Sequence, residues 1–143
     1  MPYTTDLEIY NLEQSTRLKK YFTTNKSKLT GFNNFTQFKN WFEHLSETSD
    51  YKCHYCETSL FDIRRLLNAG IINGRLVRGG SLRGPNFELD RTDPFGEYSE
   101  ENCVLSCYYC NNDKSNTFSY LIYKNIMGPL RHESLKSLID SLN

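Results

Sequence analysis

No apolar run in the sequence approaches the ~18 residues that a membrane-spanning helix needs. The start of the chain also lacks the apolar segment of a secretory signal. These absences exclude a helical membrane protein and lead us to expect a soluble, cytoplasmic one. Net charge is missing too, since 17 Lys and Arg balance 17 Asp and Glu. A neutral total neither supports nor excludes a nucleic-acid partner. Internal repeats, low-complexity tracts and domain-scale linkers are absent, so one domain is expected over residues 1–143. With 38% apolar and 14% aromatic residues the core is modest, and a metal staple would help such a chain.

What charge there is falls unevenly. Lys19, Lys20, Lys26 and Lys28 cluster early in the chain, and Arg64, Arg65, Arg75, Arg78 and Arg83 lie in its middle. Asp90, Asp93, Glu97, Glu100 and Glu101 follow within a dozen residues. Basic flanks around an acidic pocket suit a protein that holds phosphates and a divalent cation together. Any single Lys or Arg taken alone reads as solvated surface.

Periodicity gives the elements. Residues 5–22 carry Leu7, Tyr10, Leu12, Leu18, Tyr21 and Phe22 at a rough helical period. Residues 23–34 read as a connector. Phe35, Phe38, Trp41, Phe42 and Leu45 then repeat at three and four residues, an amphipathic helix capped by Asn34 or Thr36. These two helices define an N-terminal helical region, 1–50. Thr58 or Ser59 caps a short helix through Ile63, Leu66 and Leu67 that stops at Gly70. Glycines at 74, 79, 80 and 84 predict a loop or irregular hairpin. Residues 87–91 and 103–106 read as antiparallel strands, and 107–115 as a short helix. Residues 119–143 are expected to form two C-terminal helices broken at Gly128-Pro129, the second burying Leu135, Leu138, Ile139 and Leu142.

Five cysteines include two C-x-x-C units, Cys53/Cys56 and Cys107/Cys110, fifty residues apart. Without a secretory signal, such pairs favour metal over disulfides. Two C-x-x-C turns supply the four thiolates of a closed, tetrahedral structural zinc site. Four free core cysteines would leave the twin spacing unexplained. Cys103 is left over as a small buried residue, and His54, inside the first turn, is expected to face solvent.

Between and beside the cysteines lies a second constellation. Side chains alternate along a strand, so Glu88 and Asp90 share a face. Asn111 follows the second cysteine turn on the first turn of a helix. Asp90 and Asn111 can then converge on a catalytic divalent metal, their hard oxygens suiting Mg²⁺ or Mn²⁺. Asn102 is expected to tie down the loop before the second strand.

Three runs carry a resemblance to a known family. Leu89-Asp90-Arg91-x-Asp93, Tyr98-Ser99-x-Glu101-Asn102-Cys103-x-Leu105-x-Cys107 and Cys110-Asn111-x-x-Lys114-Ser115 resemble the HNH nucleases of the ββα-metal class. The subgroup resembled has Asp-Arg in place of Asp-His and two C-x-x-C zinc turns. The likeness covers residues 51–118 and is specific from 87 to 119. It implies an α+β fold, a small zinc-stapled ββα-metal core with flanking α-helices. It also implies a metal-dependent phosphodiesterase acting on double-stranded DNA, with Asp90 and Asn111 on the metal, Asn102 structural and Lys114 facing a phosphate. Arg91 falls where most of the family has its general-base histidine.

Arginine stays protonated and cannot take a proton from water, but it can orient a scissile phosphate. The base must come from elsewhere: a water activated by the metal, a substrate phosphate, or a nearby histidine or tyrosine. His44, on the aromatic helix, is the candidate, against the plainer reading of an exposed helix residue. Tyr98 reads as packing. Arg75, Arg78 and Arg83 are expected at the DNA, with Lys114 and Lys124 as further phosphate contacts. The expectation is a type II restriction endonuclease, for which palindromic sites would call for a homodimer. Alternatives are a phage or mobile-element nicking or homing enzyme, and a non-catalytic zinc module that binds nucleic acid.

Overall fold

Two aromatic-rich helices come first. α1 (Thr4–Thr24) buries Tyr10, Gln14, Leu18 and Phe22, one residue in every four, on a single helical stripe. Leu12 lies off that stripe and is 75% exposed. A computed structural model describes residues 4–143, with side chains from residue 6; residues 1–3 of the expected N-terminal region lie outside the described residues. α2 (Phe35–Thr48) begins at Asn34, whose Oδ1 accepts from the Gln37 backbone N–H at 2.9 Å. Its buried face, Phe38 and Phe42, meets α1 in an aromatic cluster with Tyr21, Phe22, Phe32 and Trp41. Gly31 lets the connecting segment approach residues 98–99: a Cβ there would sit 2.3 Å from the Tyr98 carbonyl oxygen.

α3 (Leu60–Asn68) is capped by Ser59, whose Oγ accepts from Phe61 N–H at 3.2 Å. It buries Leu60, Ile63 and Leu66. The glycine-rich stretch forms a short hairpin, β1 (Arg75–Leu76) against β2 (Leu82–Arg83). Next come β3 (Glu88–Arg91) and β4 (Cys103–Ser106), antiparallel, with Glu88 opposite Ser106 and Arg91 opposite Cys103. α4 (Tyr108–Lys114) follows directly, its first turn capped by the Cys107 sulfur. β3, β4 and α4 make the ββα unit.

The C-terminal segment departs from the expected two helices. α5 (Tyr120–Ile122) runs through a π-helical turn, residues Tyr123–Met127, into α6 (Gly128–Asp140). Gly128 has helical φ −58° and ψ −50°, and its N–H bonds back to the Tyr123 carbonyl five residues earlier. Pro129 sits in the first turn of α6, where its missing N–H is least costly. The Gly-Pro pair therefore marks a wide turn inside a continuous helical segment, not a break.

Two apolar clusters divide the core. One joins α1, α2 and the start of α3 to Phe87, Leu89, Cys103 and Leu105. The other joins the four paired cysteines to Ile63, Leu66, Tyr123 and Leu135, with Leu138, Ile139 and Leu142 packed against it. The sheet is shared between them, so both clusters fix its position. Among the described residues no helix is long and apolar enough to cross a membrane.

Candidate functional site

The cysteine centre packs on the sheet face that carries Glu88, Asp90, Val104 and Ser106, with Cys53 Sγ 3.9 Å from Ser106 Oγ. The Sγ atoms of Cys53, Cys56, Cys107 and Cys110 all lie within 4.8 Å of one another, and all four residues are buried. None is in a disulfide. A tetrahedron with Zn–S arms of about 2.3 Å has edges of roughly 3.8 Å, close to the 4.0 Å between Cys56 and Cys107. Backbone N–H groups already point at these sulfurs: Tyr55 and Cys107 donate to Cys53 Sγ at 3.4 and 3.3 Å, and Cys110 donates to Cys107 Sγ at 3.5 Å. Such donors stabilise thiolates. Sulfur neighbours, Cys110 foremost, and then burial hold the Cys107 thiol well above the ordinary cysteine range. Four crowded sulfurs ionise together only around a cation, so the set fits a soft metal. Cys103 stands apart, 4% exposed, its thiol pushed up to about 11 chiefly by burial.

The first cysteine turn is gripped from outside by one ridge of the C-terminal segment. Tyr120 Oη and His54 Nε2 lie 2.8 Å apart, with the rings stacked. Lys124 Nζ donates to the His54 carbonyl. A Cβ on Gly128 would meet the Tyr55 carbonyl oxygen at 2.3 Å. His132 Nδ1 lies 2.8 Å from the Cys56 carbonyl. Residues 120, 124, 128 and 132 thus track residues 54–56 in order. His54 is half-buried in this contact instead of facing solvent, and burial lowers its pKa. Lys124, expected at a phosphate, has its ammonium on a carbonyl.

On the same face of the sheet, β3 and α4 converge. Asn111 Nδ2 donates to Glu88 Oε1 at 2.9 Å, and Lys114 Nζ lies 3.1 Å from Asp90 Oδ2. Asp90 also accepts a hydrogen bond from Tyr55 Oη. Asp90 and Lys114 are 7% and 3% exposed, so each needs the other's charge. The Asn111 amide oxygen has no hydrogen-bond partner among the described residues, and Asn111 and Asp90 both line one cleft. This pair fits a hard divalent cation with water and phosphate completing the shell. Burial, then the bond to Asp90, raises the Tyr55 phenol far above its ordinary value, so it is a donor to Asp90 at neutral pH and not a base.

That cleft measures about 900 Å³ and runs between the ββα unit and α1. Arg91 lies in it with Nη1 on the Gly96 carbonyl at 3.1 Å and its guanidinium 4.6 Å from the Tyr98 ring centre. Tyr98 packs against the first core cluster, as expected, and also serves as a platform for Arg91. Asn102 spans the loop between the strands. Its Oδ1 accepts from Thr92 Oγ1 and Asp93 N–H, both at 2.9 Å, and its Nδ2 donates to the Asp93 and Glu97 carbonyls.

Neither a protein-family model nor a curated protein matches the sequence. Among solved structures, that of the rare-cutting HNH restriction endonuclease PacI matches with TM-score 0.57 and 24% identity, over 86% of this chain and 77% of that one. The fold is an HNH fold. Its α+β architecture, with the ββα unit and the four-cysteine centre, is the one expected from the sequence.

Not every residue singled out in the sequence reaches the HNH cleft. His44 is exposed on α2. Two positions beyond buried Phe42, which lines the cleft, it lies some 200° around the helix and outside that cleft. Arg75 and Arg78 are exposed on the hairpin, outside the cleft. Arg83 lines it, with Nε and Nη2 on Glu88 at 2.9 and 2.6 Å and its guanidinium over Tyr108. The sequence reading passed over Tyr55 and Arg17. Tyr55 sits inside a C-x-x-C unit, where an aromatic residue is unremarkable. Arg17 carried no signal beyond a basic helix.

Proposed function

We propose that the protein is a DNA endonuclease of the HNH type that hydrolyses phosphodiester bonds of double-stranded DNA with Mg²⁺ or Mn²⁺. The observation that carries this reading is the convergence of Asp90, from β3, and Asn111, from α4, on one basic cleft in an HNH fold. In this proposal the structural metal is zinc, held by Cys53, Cys56, Cys107 and Cys110, and residues 51–118 are the nuclease core. Asp90 and Asn111 hold the catalytic cation. When bound, that cation polarises the scissile phosphate and acidifies a coordinated water.

The chain's own residues supply the rest. Arg91, fixed by Tyr98 and Gly96, presents a bidentate donor to a phosphate oxygen and offsets charge that develops there. Glu88 holds the Asn111 amide by one oxygen and Arg83 by both. Asn102 keeps the β3–β4 loop closed, so Arg91 stays aimed. Lys114, expected at a phosphate, is instead ion-paired with the buried Asp90. Arg75 and Arg78, free on the exposed hairpin, meet DNA outside the cleft. A two-stranded ribbon of this kind fits a major groove.

A type II restriction activity is the proposed subtype, and cutting both strands of a palindrome calls for a homodimer. The lack of a histidine among the described residues that line the cleft favours one rival, a zinc module that binds DNA without cutting it. Purified protein is incubated with supercoiled plasmids of varied sequence, with and without Mg²⁺ or Mn²⁺. Discrete fragments are expected. Nicked circles alone would indicate a nicking enzyme, and intact plasmid under every condition would leave the binding module.

A further inference from the structure

The cleft over Asp90 has two walls, and only one belongs to the ββα unit. The opposite wall is α1 and the connector after it, which contribute Arg17, Lys20 and Lys28. None of the three was assigned a role from the HNH resemblance. In all, six Lys and Arg side chains line the cleft, against three acids.

The acids are already used. Glu88 is paired with Arg83, Asp90 with Lys114, and Glu13 with Arg64. Arg17, Lys20, Lys28 and Arg91 are left without a carboxylate partner among the described residues. A protein with no net charge therefore gathers four unneutralised cations around one cavity.

Two of these cations are held against one ring. Lys28 Nζ lies 4.9 Å and the Arg91 guanidinium 4.6 Å from the centre of the same Tyr98 ring. Like charges on one aromatic ring repel within about one Debye length at physiological salt. Cation–π attraction of about 0.5–1 kcal/mol each at exposed sites offsets only part of that. Arg17 is also fixed, with Nη1 on Gln14 Oε1 at 3.1 Å and Nη2 on the Phe87 carbonyl at 3.0 Å. Positioned cations around a cavity without counter-charge describe a site for a polyanion.

We propose that Arg17, Lys20 and Lys28 form a second phosphate-binding wall, which grips the DNA backbone beside the phosphate to be cut. This rests on the endonuclease reading and extends it to the N-terminal helix. At about 1.5 Å per residue, α1 from Arg17 to Thr24 runs roughly 10 Å. That is about three nucleotide steps of duplex axis at ~3.4 Å each. Lys19 and Lys26, neighbours in sequence, lie outside the cleft and take no part.

The test measures binding of the full chain to a fluorescent duplex of about 25 bp. Ca²⁺ replaces Mg²⁺ to prevent cleavage, and salt runs from 50 to 200 mM. Each phosphate contact contributes about −0.9 to the slope of log affinity against log salt. The variant Lys20→Gln/Lys28→Gln should flatten the slope by about 1.8 and weaken binding several-fold or more. Lys19→Gln/Lys26→Gln should bind as wild type. Equal effects of the two pairs, an unchanged slope in the first, or no duplex binding by wild type would each overturn the proposal. A flattened slope in a protein that leaves every plasmid intact would keep this wall and remove the nuclease. Plasmid cleavage with an unchanged slope would do the reverse.

Discussion

The hydroxyl of Tyr55 is hydrogen-bonded to the carboxylate of Asp90. One residue thus belongs to both sites, because Tyr55 lies between the cysteines of the first C-x-x-C unit. Its ring packs against Tyr120 and Tyr123. Tyr55→Phe keeps this packing and deletes one donor to a buried carboxylate. Hydrogen bonds to charged groups contribute about 1.5–3 kcal/mol. A loss in that range is expected in urea denaturation, together with slower plasmid cleavage. An unchanged midpoint and unchanged rate would show that the bond does nothing.

Asp90 is best tested with a substitution that spares Lys114. Alanine would strand a buried ammonium, which costs about 3–5 kcal/mol and confounds the result. Asp90→Asn leaves a polar partner 3% exposed Lys114 can still meet. Cleavage should disappear while zinc content, read by atomic absorption, stays near one per chain. Joint loss of zinc and activity would make Asp90 a structural residue.

Cys107 is both a sulfur of the four-cysteine centre and the cap of α4. Cys107→Ser should lose the metal and, with it, cooperative unfolding, since the binding energy of a structural metal is folding energy. Circular dichroism and a thermal melt measure this. A native-like melt without metal would refute a structural role for the centre.

Gly128→Ala opposes two effects. Alanine gains about 1 kcal/mol of helix propensity over glycine. Its Cβ, however, would sit 2.3 Å from the Tyr55 carbonyl oxygen, a backbone atom that cannot swing away. Overpacking of this kind costs about 1–3 kcal/mol, so the clash prevails. A melting temperature lower by about 3–8 °C is expected for a chain of this size. An increase would mean that the helix can lift from the cysteine turn at little cost.

Cys103 offers a readout by chemical labelling. With its thiol pushed up to about 11 by burial, roughly one part in a thousand is thiolate at pH 8. The native protein should resist iodoacetamide at Cys103 and be labelled there once unfolded. Rapid native labelling would place that thiol at the surface.

Much of this was legible in the sequence, for reasons that differ by element. The paired cysteines announced one four-sulfur centre because their spacing is chemical. β3 and β4 were legible because they are short and bounded by a turn, and Asn34 and Ser59 stand where helix caps belong. The last helix was misread at Gly128-Pro129, where glycine is set by a close approach to Tyr55, 73 positions earlier. No local pattern reports such a contact. The same holds for Arg17, whose place at Phe87 depends on how α1 lies against the sheet. His44 failed for a local reason, since its phase relative to Phe42 already turned it outward.

The two halves of the cysteine centre lie fifty residues apart in the chain. During synthesis at about 5–20 residues per second, the first pair therefore waits roughly 3–10 s for the second. Throughout that interval the nascent chain can offer a metal only two sulfurs. Capture of the ion must then come late, after Cys110 has emerged. Until then Tyr55 and Asp90 have nothing to hold them together, and the cleft stays unformed until its staple closes.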